Sequence, residues 1–123
     1  MKRKFEFFLK DIIESIKSIN DFIHKMDFQK FSSDDKTSSA VIRKIEIIGE
    51  ATKNIPDPIK EKYKEIPWND MAKIRDKVIH SYFGINYETI WNVAKDRLPE
   101  IKLEIEKILT DLRDDEIQEN LFK

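Results

Sequence analysis

Arg75, Asp76, His80 and Tyr82 fall within one run of eight residues, Arg75-Asp76-Lys77-Val78-Ile79-His80-Ser81-Tyr82, which holds one of the two histidines of the chain. The apolar spacing around the run predicts a helix. At about 100° per residue, a helix puts Asp76 and His80 one turn apart on one line. Arg75 and Tyr82 then lie two turns apart, about 20° off a common line, and the four side chains share a sector of roughly 160°. Cleaving a ribose-phosphate link without a metal needs a base for the 2′-hydroxyl, an acid for the leaving 5′-oxygen and positive charge on the phosphate. His80 titrates near neutrality and can act as base or acid. Arg75 keeps its charge and offers a planar fork to phosphate oxygens. Asp76 can accept a bond from the imidazole and fix its tautomer. One histidine does not readily serve as base and acid together, so this chemistry predicts a homodimer in which two His80 and two Arg75 share a cleft. The plainer alternative is a solvated or interface face, with Asp76 paired to Lys73 or Lys77. Tyr82 is singled out only by standing just before Gly84, where its hydroxyl can reach water.

The elements that must position these groups read as an all-α antiparallel bundle of four main helices with a short extra helix. Two Gly and four Pro in 123 residues leave few places for turns. Phe5, Phe8, Leu9, Ile12, Ile16, Ile19 and Ile23 recur at helical spacing and predict a first helix over about 3–26. Ser32-Ser33-Asp34-Asp35 is a capping cluster that opens a second helix near 34–54, carrying Ala40, Val41, Ile45, Ile48 and Ala51. Pro56 and Pro58 end it, and Asp57 is expected to cap a short helix through Tyr63. Pro67 starts the motif helix, with Trp68, Met71, Ile74, Val78 and Ile79 inward and Gly84 as its stop. Asn86 is expected to cap the last helix, which Pro99 should kink or break. Residues 1–113 read as a single domain, and 114–123 as a polar tail expected to fray.

Composition bounds the function further. With no Cys there is no disulfide, thiolate metal site or cysteine nucleophile. The chain has no HExxH, no Gly-rich phosphate loop, no GxSxG elbow and no Glu-x-x-His pair, so neither a metal nor another cofactor is expected. The start resembles a leader for a few residues until Glu6, Lys10 and Asp11 interrupt it. No apolar run approaches the roughly 20 residues that span a bilayer, and a cytoplasmic protein without a membrane partner is expected. A net charge of −1 supplies no general attraction to nucleic acid, so RNA binding must rest on a local patch. His24 has no partner cluster and reads as a surface or capping residue.

Arg75-x4-His80-x-Tyr82 resembles the RX4HXY signature of the HEPN superfamily. The flanks resemble its HepT-like branch: Arg43-Lys44-Ile45-Glu46-Ile47-Ile48-Gly49-Glu50-Ala51, Ile66-Pro67-Trp68, Ile90-Trp91 and Leu98-Pro99 keep the order of that family over roughly residues 40–110. Asp76 departs from it, since many relatives carry Asn there; an acid would raise the pKa of His80 and repel phosphate somewhat. The resemblance implies a homodimeric helical bundle acting on RNA as a metal-independent endoribonuclease, the toxin of a type VII toxin–antitoxin pair. Arg75 and His80 would be catalytic and Asp76 supporting. The implied partner is an MntA-like nucleotidyltransferase that transfers AMP to Tyr82 and so neutralises the toxin. For Glu46 and Glu50 the reading gives a structural role only, and for Gly49 a close helix approach. A non-catalytic HEPN module that binds nucleotide or such a transferase is the alternative.

Overall fold

The computed structural model describes residues 4–80 and 84–121. Three long helices build its frame: α1 (Phe5–Phe22), α3 (Asp35–Lys53) and α8 (Leu98–Leu121), with α1 packed against both of the others. Between them lie α2 (Phe28–Ser33), α4 (Asp57–Lys62), α5 (Trp68–Ala72), α6 (Ile74–Val78) and α7 (Tyr87–Asn92). A two-residue antiparallel pair, β1 (Ile79–His80) and β2 (Gly84–Ile85), interrupts an otherwise helical chain, with Ile79 opposite Ile85 and His80 opposite Gly84. The fold is the expected all-α bundle.

Its core follows from the apolar periodicity. Leu9, Ile12, Ile16 and Ile19 of α1 meet Val41, Ile45 and Ile48 of α3 and Leu98, Ile101, Ile105 and Ile108 of α8, all buried. Phe31 enters the same core from α2, its ring 5.3 Å from that of Trp91 and 6.5 Å from that of Tyr87 on α7. The expected caps are present at two helix starts. Asp34 accepts the Thr37 N–H at 3.1 Å, and this bond lowers the pKa of its carboxyl. Asn86 accepts the Thr89 N–H at 3.0 Å at the start of α7.

Several local expectations are corrected. α1 stops at Phe22, and Lys25 adopts φ 65°, a left-handed turn that sends the chain into α2. α2 escapes a periodicity reading because it has only six residues; Asp27 caps it by accepting the Lys30 N–H at 2.8 Å. In α4 Asp57 is the first helical residue and not the cap, because Pro56 takes the extended capping position. The step before Pro99 is absorbed by a π-helical stretch, Val93–Arg97, that runs straight into α8. Proline lacks the N–H that an α-helix would use there, and a wider turn redistributes the neighbouring bonds. α8 also stays helical through Leu121, well into the segment expected to fray, although 113–121 are exposed throughout.

Candidate active site

The largest correction falls on the motif itself. A single helix from Pro67 to Gly84 is expected, yet the chain forms α5, breaks at Lys73, forms α6 and leaves the helix after Val78. Ile79 has extended angles, φ −119° and ψ 121°, and pairs with Ile85. Asp76 therefore sits on α6 and the backbone of His80 on β1, so the one-turn helical alignment of the two does not form. The physical reason is local. Val78 and Ile79 are consecutive β-branched residues with restricted rotamers in a helix and a preference for extended backbone. Gly84 supplies φ 83° opposite His80, a conformation that costs other residues energy. The Asn86 N–H then bonds the Val78 carbonyl at 2.9 Å and closes the pair. Gly84 thus belongs to the antiparallel pair and is not the stop of the motif helix.

Of the candidate residues, Arg75 and Asp76 are placed in full, His80 through its backbone only, and Tyr82 lies outside the described residues. The inward spacing of the segment is as expected: Trp68, Met71, Ile74 and Val78 are buried. Their burial leaves Arg75, Asp76 and Lys77 facing water. Lys77 pairs with Asp70 at 3.2 Å and not with Asp76. Among the described residues, Asp76 forms an ion pair with neither Lys73 nor Lys77.

Arg75 reaches across to α3. Its Nε–H donates to Glu46 Oε2 at 2.7 Å, with side-chain exposures of 53% and 30%. The other carboxylate oxygen of Glu46 lies 3.7 Å from Arg43 Nη1, an ion pair longer than a hydrogen bond. Arg43, Glu46, Glu50, Lys53, Arg75 and Asp76 line one open cleft of about 410 Å³ between α3 and α6. Three cations and three carboxylates make the lining neutral. Gly49 forms its floor: a Cβ there would lie 3.4 Å from the Ala72 carbonyl oxygen and 3.5 Å from that of Met71, so the expected close approach is present. The Glu46–Arg75 contact spans twenty-nine residues and is invisible to periodicity; the sole hint in the sequence is that Glu46 shares a face of α3 with Arg43 and Glu50.

Residues 12–108 match the pattern of the family described as ribonuclease HepT-like. The chain belongs to the HepT-like family of ribonucleases in the HEPN superfamily. Among its relatives, MJ0127 of Methanocaldococcus jannaschii, provisionally named as an RNase, is 49% identical over 111 residues, covering 90% of this chain and 92% of that protein. A protein of Thermococcus cleftensis named "Probable ribonuclease HepT" is 46% identical over 108 residues, covering 88% of this chain and 98% of its own length. MJ0125 of Methanocaldococcus jannaschii, also provisionally named as an RNase, is 47% identical over 113 residues, covering 92% of this chain and 97% of that protein. No solved structure matches the chain. The family match spans the whole motif and the cleft beside it. Among the described residues of this HepT-like protein, no helix is long and apolar enough to cross a membrane.

Proposed function

We propose that this HepT-like protein is a metal-independent endoribonuclease and the toxin of a type VII toxin–antitoxin pair. The observation that carries the reading is Arg75, held solvent-facing at an open cleft inside the family-matched region, five residues before His80. Two protomers share one RNA phosphate. One His80 takes the proton of the 2′-hydroxyl, whose oxygen bonds to phosphorus. The bond from phosphorus to the 5′-oxygen breaks, and the second His80 protonates that oxygen. The Arg75 guanidinium groups offset the charge that builds on the phosphate oxygens. Asp76 supports the cationic residues. An MntA-like nucleotidyltransferase transfers AMP from ATP to the Tyr82 hydroxyl and releases pyrophosphate, and the added bulk and negative phosphate oppose the binding of RNA.

The deciding experiment incubates purified, AMP-free protein with RNA in excess chelator. The wild type cuts and leaves a 2′,3′-cyclic phosphate, while His80→Ala cuts nothing; persistent cleavage by that variant would refute the mechanism. Tyr82→Phe keeps cutting but escapes the partner, gaining no AMP by intact mass.

A second reading, a non-catalytic module that binds nucleotide or a transferase, is favoured by two observations: in a single chain Glu46 already engages Arg75, and the cleft lining is neutral. Failure to cut any RNA with nucleotide or partner binding intact would support it.

A further inference from the structure

The geometry points to Glu46 as the positioning residue for Arg75: its carboxylate takes the Nε–H of the guanidinium and so sets which donors remain for a phosphate. The inference rests on the nuclease reading above. Arginine has five N–H donors. The 2.7 Å bond to Glu46 Oε2 engages the Nε–H and leaves the four on the two terminal nitrogens. Those four form the end of the fork that grips two phosphate oxygens at once.

Three features separate this from an ordinary surface ion pair. Glu46 comes from a nineteen-residue helix packed into the core, whereas Arg75 stands on a five-residue helix with no ladder of its own to speak of. The rigid partner therefore fixes the mobile type of side chain. The second oxygen of Glu46 is held at only 3.7 Å by Arg43, itself mostly exposed, so the strong bond is reserved for Arg75. Gly49, one turn further along α3, brings the backbones of α3 and α5 close enough for the short Glu46 side chain to span the gap. Exposed pairs contribute little to folding, so the value of this contact lies in the orientation of the guanidinium.

The test is a set of variants at residue 46, read by cleavage kinetics, thermal melting and the NMR exchange rate of the Arg75 Nε–H, assigned with Arg75→Lys. Glu46→Ala is expected to lower kcat by about 10- to 100-fold, the scale of a misplaced catalytic group, with KM and melting temperature nearly unchanged and faster Nε–H exchange. Glu46→Gln keeps an oxygen acceptor and restores most of kcat and of the protection. In an Arg75→Ala background, Glu46→Ala costs nothing further, because Glu46 acts through Arg75. Wild-type kcat in Glu46→Ala, or an equal extra loss in the Arg75→Ala background, would overturn the inference. If the wild type cuts no RNA, the nuclease reading falls by itself. The exchange rate then decides: protection that depends on an acceptor at 46 upholds the positioning of Arg75, and unchanged protection overturns it.

Discussion

Between Val41 and Ile48, α3 buries three β-branched side chains at helical spacing with no exposed surface, whereas α6 turns Arg75, Asp76 and Lys77 to water in succession. α6 meets α3 at Glu46, and α5, just before it, meets α3 at Gly49, but the long helix and the short ones are held in different ways. α3 is long enough to carry its own hydrogen-bond ladder, is capped by Asp34 and loses most of one face to the core. α5 and α6 have five residues each, far below the length at which an isolated helix is stable. Four apolar side chains, Trp68, Met71, Ile74 and Val78, pin them to the frame. Stability is concentrated in the long helices, and the groups fit for chemistry hang on short pieces that borrow it. Substitutions should therefore separate into those that unfold the protein and those that silence it.

Ile45→Ala is the severe probe of the buried side. Ile45 has no exposed surface, and truncating such a residue costs about 2–5 kcal/mol through lost transfer energy and a cavity. Urea unfolding should show a lower midpoint with an unchanged slope, and cleavage per folded molecule should stay at the wild-type level. Loss of cleavage in a still-folded variant would erase the division.

Tyr63 joins the two regions and gives the division a pH dependence. Its hydroxyl donates to Asp111 Oδ2 on α8 at 2.8 Å, while its carbonyl accepts the Trp68 Nε1–H at the start of α5 at 3.0 Å. Burial, and then the bond to Asp111, push the phenol from 10.0 up to about 12. The fold thus favours the neutral phenol. Its contribution is complete below pH 10.0 and is lost as pH rises through about 12. The shift corresponds to stability on the order of 2 kcal/mol. In urea melts at stepped pH, Tyr63→Phe should fall less steeply across that window than the wild type; parallel curves would mean that neither burial nor the bond to Asp111 raises the phenol.

The long helices were legible because their burial repeats every three or four residues and their starts carry Asp34 and Asn86, whose side chains cap as read. The motif segment was misread as structure. Its inward residues Trp68, Met71, Ile74 and Val78 keep helical spacing right up to the point where Ile79 turns extended, so periodicity alone continues the helix past its end. The β-branched pair and the positive φ at Gly84 decide otherwise, and only the partner strand makes that choice pay. Glu46 was legible as a helix residue but not as the partner of Arg75, since nothing within one helix reports a contact made across two. α2 left one usable trace, Asp27 ahead of Phe28, too short a signal for a stripe to form.

Asn86→Ala probes the borrowed stability directly. Asn86 caps α7 through its side chain and ties β2 to Val78 through its backbone, so the substitution removes the cap and leaves the tie. Loss of such a cap costs about 1 kcal/mol. Hydrogen exchange should speed up at Thr89 and in α7 and leave α3 unchanged. Uniform acceleration across both regions would show that they open as one unit.

Gly49 is the smallest and most discriminating case, because it lies where the two regions meet. Glycine inside a helix costs up to about 1 kcal/mol against alanine. A Cβ at 49 would rest 3.4 and 3.5 Å from the Ala72 and Met71 carbonyl oxygens, which is contact and not overlap. Gly49→Ala should therefore be neutral or stabilise the fold by less than about 1 kcal/mol, seen as a small rise in melting temperature, with cleavage retained. Gly49→Val adds two methyl groups that those carbonyls leave no room for, and α5 must move away from α3. The displacement carries α6 with it and lengthens the reach from Arg75 to Glu46, so cleavage should fall by more than the melting temperature would suggest. Equal behaviour of the two variants would mean that the spacing of α3 and α5 does not govern the site.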